Sequence, residues 1–244
     1  MNEVFVNVYA DDRRAMAYAQ LEFPGTYYLA FRDLPRIFET HVQGRRALDF
    51  GCGAGRSTRF LRDCGFEACG VDISAEMIRH ACERDPHGDY RLVAPGELAG
   101  FDGRGFDLVT ALFTFDNIPM PDKLPLMAEL RRLLAPAGCM VLVVSSPELY
   151  INEWASFSTS FAGNRVARTG DVVRTVMKDV EDSRPVDDIF CPDAAYCELF
   201  AASGLALEAV YRPLGKADEP YAWINETRIA PWVIYVLRGL AKNL

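Results

Sequence analysis

No stretch of about 18 consecutive apolar residues occurs in the 244-residue chain, so no membrane-spanning helix is expected. The opening residues, MNEVFVNVYADDRR, lack a basic segment followed by an apolar one, so no signal peptide is expected. None of the seven cysteines forms a CxxC pair, and their number is odd. That argues against a zinc site or a disulfide framework, and for reduced thiols in a cytoplasmic protein. An excess of positive charge is lacking too: the formal net charge is -8 and the isoelectric point about 5.0. An acidic surface repels phosphate backbones, so a nucleic-acid partner is not expected. The pairs Arg45-Arg46 and Arg131-Arg132 read as solvated faces. Internal repeats, low-complexity tracts and Gly/Ser linkers are missing, and 244 residues suit one α/β domain. No HEXXH, nucleophile elbow or metal-ligand cluster is visible, so no metal is expected.

What is present is a rhythm. From Arg46 to Ser145, short apolar runs alternate with longer amphipathic ones. ALDF, ACGVDIS, YRLVA, FDLVTALFTF (Phe106 to Phe115) and CMVLVVSS read as five strands. RSTRFLRDCG reads as a helix stopped by Gly65, and AEMIRHACERD as a helix capped by Ser74. PDKLPLMAELRRLLAPAG reads as a helix ended by Gly138. Such alternation predicts a doubly wound, mostly parallel α/β sheet. Residues 1–45 predict an aromatic-rich helical cap, 46–146 the core, and 147–192 a polar, Asp-rich insertion suited to a lid. Residues 193–244 add a helix (Asp193 to Ser203), a strand (Leu205 to Tyr211) and a last apolar run, PWVIYVLRG, as an antiparallel edge hairpin.

The chemistry concentrates at Asp49-Phe50-Gly51-Cys52-Gly53-Ala54-Gly55, between the first strand and the first core helix. Glycines there permit a tight turn and close approach of backbone to a ligand. Asp72 ends the second strand, where a carboxylate can accept hydrogen bonds from both hydroxyls of a ribose. The spacing is GxGxG, with Arg56 where a dinucleotide fingerprint would continue toward its third glycine. Asp49 beside the turn disfavours a pyrophosphate and suits a ligand with an ammonium group and a sulfonium centre.

ALDFGCGAGRST, followed by GVDIS and AEMI, resembles the first motif of class I S-adenosylmethionine-dependent methyltransferases, over roughly residues 45–145. The resemblance implies a Rossmann-like, seven-stranded sheet with S-adenosylmethionine as cofactor. It implies that Asp49 and Gly51, Cys52, Gly53 and Gly55 surround the methionine part. Asp72 would bind the ribose, with Ile73 and Met77 flanking the adenine. FDLVTALFTFDNI is similar to the family's fourth-strand motif, which implies Phe113 beside the cofactor, with Phe115, Asp116 and Asn117 facing the transfer site. The acidic residue many members carry after strand three is replaced by Ala94, so adenine contact falls to Pro95, Gly96 and Glu97. TRIAPWVIYVLRG resembles the final hairpin of small-molecule members, which favours a metabolite acceptor.

Methyl transfer needs mainly near-attack geometry, plus a base only if the acceptor must lose a proton. His41, His80 and His87 lie away from the expected chemistry. A base would therefore come from Asp116, Asp187 or its neighbour Asp188, or Glu226. Tyr9, Tyr28, Trp154 and Trp223 are candidate acceptor contacts. The expected function is methylation of a nitrogen or oxygen of a small molecule by a monomer or homodimer. A macromolecular methyltransferase and a catalytically silent cofactor-binding protein are the alternatives.

Overall fold

The structure, a computed structural model, describes residues 24–101 and 105–240; the expectation placed on Tyr9 lies outside them. Helix α1 (Gly25–His41) leads into β1 (Arg46–Phe50), α2 (Arg56–Asp63), β2 (Glu67–Asp72), α3 (Ala75–Arg84) and β3 (Asp89–Leu92). There follow β4 (Phe106–Leu112), α4 (Met120–Leu133) and β5 (Leu134–Ser145). Strands β6 (Phe157–Ser158), β7 (Val172–Met177) and β8 (Val186–Ile189) come next, then α5 (Asp193–Ala202), β9 (Leu205–Tyr211) and β10 (Trp232–Gly239).

The main sheet has seven strands in the order β3-β2-β1-β4-β5-β10-β9. Pairing is parallel from β3 through β5, and β10 runs antiparallel between β5 and β9. The expected Rossmann-like sheet and its antiparallel edge are therefore present. Strand order reverses between β1 and β4, which opens a crevice at the C-terminal ends of the parallel strands.

Period-two side chains explain the two cores. Val141 and Val143 of β5 and Ile234 and Val236 of β10 pack on one face, with Leu29, Leu34 and Phe38 of α1. Met140, Leu142 and Val144 pack on the other, with Met127 and Leu130 of α4 and Tyr196 and Phe200 of α5. Both faces are covered, so the central strands read as unbroken apolar runs. Each such Leu or Val contributes about 1.5–3 kcal/mol over leaving it exposed.

Local signals fix the helix ends. Ser74 Oγ accepts from Met77 N at 3.3 Å and caps α3, and Gly65 turns with φ +89° after α2. Two expected boundaries move. Helix α4 stops at Leu133 rather than at Gly138, because Pro136 disfavours a helical Ala135 and β5 already begins at Leu134. Gly138 lies inside β5, where a Cβ would meet Phe106 O at 2.4 Å. Strand β4 stops at Leu112 rather than Phe115: Phe113 has φ +64°, and Phe115–Asn117 form a 3-10 turn.

The insertion at 147–192, expected to be a polar lid, contains a packed three-stranded antiparallel sheet in the order β6-β7-β8. In β7, Val173 and Met177 turn inward while Val172 and Arg174 are exposed. Trp154, Phe157, Val173 and Val186 share one core with Tyr27 and Trp232. Among the described residues, no helix is long and apolar enough to cross a membrane.

Candidate active site

The glycine loop closes over the end of β2. Gly51 N and Cys52 N both donate to Val71 O, at 2.8 and 3.0 Å. Gly51, Gly53 and Gly55 have φ of +73°, +53° and +80°, a region other residues enter only with strain. A Cβ at Gly51 would lie 2.3 Å from the Thr114 side chain, and one at Gly55 2.7 Å from Tyr90 Oη. Gly53 differs: its Cβ would meet only Met77 Sδ, at 4.0 Å, so this stretch of backbone faces an open cradle. Asp72 borders the cradle; its Oδ2 accepts from Gly53 N at 2.9 Å and its Oδ1 from Ser74 N at 2.8 Å. Burial pushes its carboxyl above the ordinary value, against these bonds. Each oxygen keeps acceptor capacity for a ligand hydroxyl. Ile73 is half-buried and Met77 buried beside the loop. These features fit the nucleoside and methionine parts of S-adenosylmethionine.

Asp49, just before the loop, is bound by hydroxyls. Fully buried, it accepts from Ser57 Oγ (2.6 Å) and Thr58 Oγ1 (2.7 Å) of α2 and from Thr110 Oγ1 (3.0 Å) of β4. Burial raises its carboxyl, and the three hydroxyls oppose the rise. The geometry thus gives Asp49 the task of tying the first turn of α2 to the sheet. Cys52 is buried in the loop, its thiol pushed well up by desolvation. Pro95, Gly96 and Glu97 form an exposed turn after β3, with Gly96 at φ +76°.

A pocket opens beside Phe113. It is lined by Tyr27, Phe113, Phe157 and Trp232, by Leu149, Met177 and Val186, and by the polar Asp116, Asn117, Ser145, Thr175 and Asp188. The aromatic wall is mutually packed: Phe113 lies edge-on to Trp232 (4.7 Å between centroids) and to Tyr27 (5.2 Å). The positive φ of Phe113 holds this ring at the end of β4, and such strain concentrates at functional sites.

Behind the polar end lies a buried charge cluster. Asp116 Oδ2 accepts from Ser145 N (3.0 Å) and Ser145 Oγ (2.9 Å), while Oδ1 has only a long contact to Ser145 N (3.3 Å). Asp188 Oδ1 accepts from Asn117 Nδ2 at 2.7 Å, and its Oδ2 lies 3.2 Å from Tyr150 Oη. Lys123 is fully buried and donates to Phe115 O. Burial pushes Asp116 up to about 6, opposed by the Lys123 charge and by Ser145. Burial, then the Asp116 charge, push Asp188 well above the carboxylate range. Desolvation lowers Lys123, against the attraction of Asp116.

The remaining candidates scatter. Asp187 is exposed and pairs with Arg174 at 2.9 Å, on the opposite face of β8 from Asp188. Glu226, expected as a base, is fully buried outside the pocket, accepting from Thr26 Oγ1, Ala155 N, Ile224 N and Asn225 N. Phe115 is buried beneath the site, between Phe50 and Lys123. Trp154 is a core residue whose Nε1 donates to Leu149 O, and Trp223 donates to Lys216 O at a half-exposed loop. Tyr28 packs on Tyr221, while its neighbour Tyr27 lines the pocket. Sequence reasoning missed Phe157, Trp232 and Lys123, and among the N-terminal tyrosines it could not tell Tyr27 from Tyr28. Strand alternation around Val186 would have favoured Asp188 over Asp187 for the inward position.

A family model described as "Methyltransferase domain" matches residues 20–210. A ubiquinone biosynthesis O-methyltransferase of Burkholderia multivorans is 29% identical over 194 residues, covering 78% of this chain and 77% of that one. The same-named protein of Alkalilimnicola ehrlichii is 28% identical over 160 residues, covering 56% of this chain and 64% of that relative, and the Burkholderia cenocepacia protein is matched over 43% of its length. Among solved structures, the CcbJ methyltransferase of Streptomyces caelestis superposes with a TM-score of 0.66 at 18% identity, over 95% of this chain and 98% of that one. An S-adenosylmethionine-dependent methyltransferase of Clostridium acetobutylicum gives 0.61 at 15% identity, over 96% and 99%. With its sheet order, its glycine cradle and a family match over most of its length, this chain belongs to the class I S-adenosylmethionine-dependent methyltransferases.

Proposed function

We propose that this protein transfers a methyl group from S-adenosylmethionine to an oxygen or nitrogen of a small-molecule acceptor, with oxygen the preferred atom. One observation carries the reading: the glycine cradle and the aromatic pocket flank the same turn after β4, where a Cβ at Gly51 would meet Thr114 and the preceding residue, Phe113, lines the pocket. The backbone of Gly51 to Gly55, Asp72, Ile73 and Met77 would hold the cofactor, with the Pro95-Gly96-Glu97 turn at its adenine end. When bound, the cofactor supplies a methyl group already activated on a sulfonium. The chain's own residues then need to orient the acceptor and exclude water.

The pocket walls come from three directions: α1, the strand ends and the small sheet. Such enclosure suits a small molecule better than a polymer strand or a protein surface. The O-methyltransferase names of the relatives favour oxygen. Residues 147–192 serve in this reading as a fixed wall of the acceptor site, because their inward side chains belong to the core.

Calorimetric binding of S-adenosylmethionine to wild type and to Asp72→Ala tests the proposal. Loss of a charged hydrogen-bonding partner weakens binding by roughly 1.5–3 kcal/mol, about tenfold or more. Failure of the folded wild type to bind the cofactor would remove the premise. Binding with no transfer to any small acceptor would favour a silent cofactor-binding protein.

A further inference from the structure

The pocket ends on two carboxylates, and Lys123 is buried nearby, its ammonium donating to the carbonyl of Phe115, the residue before Asp116, and standing outside ion-pair distance of either carboxylate. Asp116 comes from the turn after β4, Lys123 from α4 and Asp188 from β8. Buried charges persist only when balanced. One ammonium balances one carboxylate, so the second carboxyl of a buried pair keeps its proton. Asp188 is the member to keep it. Its two oxygens meet only an amide and a phenol, from Asn117 and Tyr150, whereas Asp116 has a backbone N–H and a hydroxyl from Ser145. The other titratable groups facing the pair are Tyr150 after β5, Tyr196 on α5, Cys191 between β8 and α5, and Asp187 beside Asp188. With one proton on the pair the cluster is neutral overall, and the rest of the pocket is aromatic and aliphatic.

Resting on the methyl-transfer reading above, we propose that Asp116, Asp188 and Lys123 form one proton-accepting unit, in which Asp116 takes the proton from a hydroxyl on an uncharged, ring-bearing acceptor such as a phenol. In that step the acceptor O–H bond breaks, its electron pair stays on the oxygen, and the proton passes to Asp116. Oδ1 is the receiving atom, because Oδ2 already accepts two bonds from Ser145. Lys123 offsets the negative charge of Asp116 before the step. Asp188 holds its own proton throughout and anchors Asn117, which fixes the 3-10 turn bearing Asp116. The apolar ring packs against Phe113, Tyr27, Phe157 and Trp232. A cationic amine fits less well, because a neutral cluster and apolar walls leave its charge desolvated and unbalanced.

The test uses the full chain with S-adenosylhomocysteine and carboxyl-13C aspartate, titrated by NMR, with Asp116→Asn and Asp188→Asn assigning the signals. One carboxyl of the pair stays protonated at neutral pH while the other ionises below it, and Lys123→Met raises that midpoint by about one unit, tenfold in proton affinity. In parallel, labelled methyl transfer is followed to catechol and to benzylamine. Catechol is the acceptor, and Asp116→Asn lowers kcat by about 100-fold with KM little changed, in line with loss of a general base. Two carboxyls already ionised in mild acid and indifferent to Lys123→Met overturn the proposal. So does preference for benzylamine, or an Asp116→Asn enzyme of near-normal kcat. Calorimetry of the cofactor on the same samples separates the failures: no cofactor binding sinks the methyl-transfer reading, whereas normal binding with an ionised pair sinks only the proton-accepting unit.

Discussion

Replacing Glu226 by Gln exchanges one atom and is expected to cost more than most surface truncations. Oε1 accepts from Thr26 Oγ1 and Ala155 N, both at 2.7 Å, and Oε2 from Ile224 N at 2.8 Å and Asn225 N at 3.0 Å. The residue is fully buried. One carboxylate therefore clasps the start of α1, the insertion and the loop before β10. In Gln, one oxygen becomes an NH₂ group that faces two backbone N–H donors or leaves one donor pair unmatched. At about 1–3 kcal/mol for each buried group left without a partner, discounted for local relaxation, the loss comes to about 3 kcal/mol. For a chain of this size that lowers Tm by about 6–12 °C. Thermal unfolding followed by circular dichroism measures the shift. A Tm within about 2 °C of wild type would refute the clasp. Cofactor affinity well below the transition should change little, because none of the four donors belongs to the cradle. A large loss of activity in a Glu226→Gln protein that unfolds normally would instead return Glu226 to the chemistry.

Gly55→Ala forces a φ of +80° on an L residue and drives a methyl against the Tyr90 ring, so stability should fall by about 1–2 kcal/mol or more, seen as a lower urea midpoint. Asp116 gives stability a pH dependence of known sign. Its folded value, about 6, lies above the unfolded one, so the stability tied to its proton is present below the ordinary carboxylate value and lost as pH rises to about 6. Asp116→Asn should remove that component, so wild-type Tm should decline relative to the variant across this window; parallel profiles would contradict it. Asp187→Asn breaks only an exposed pair with Arg174, so stability should change by less than about 0.5 kcal/mol and turnover hardly at all. A large drop in turnover would restore Asp187 as the base.

The loop and strand end proposed to hold the donor were legible as local structure because their signals are local. Glycine spacing, a carboxylate at the end of the next strand and a serine cap all lie within 30 residues, and each has one dominant backbone consequence. Asp49 was placed beside the loop by its position along the chain. Its direction depends on Ser57, Thr58 and Thr110, and the last is 61 residues away. The acceptor half resisted for the same reason on a larger scale. Tyr27 and Trp232 are stacked at 5.5 Å although about two hundred positions separate them, and no periodicity in either segment announces the partner. Choosing between Tyr27 and Tyr28 needed the helix face, and choosing between Asp187 and Asp188 needed the strand face. Trp154 and Trp223 were plausible by residue type alone, and tryptophan serves cores as readily as ligands. The boundary errors at Phe113 and Gly138 have separate local causes: a positive φ ends β4 early, and Pro136 ends the helix before Gly138.

The reversed direction of β10 divides the protein's freedom to change. Because that strand runs opposite to its neighbours, its first residue, Trp232, stands beside Ser145, the last residue of β5. The proposed acceptor wall thus draws on residues near both extremes of the described chain, while the cradle is confined to one short stretch near its first third. A substitution at Phe157 reshapes the proposed acceptor wall without touching Phe113, whereas Tyr27 and Trp232 pack directly on that ring. On the proposed assignment, selectivity can shift there with the donor cradle intact, so descendants of such a chain can diverge in what they methylate while keeping the same means of doing so.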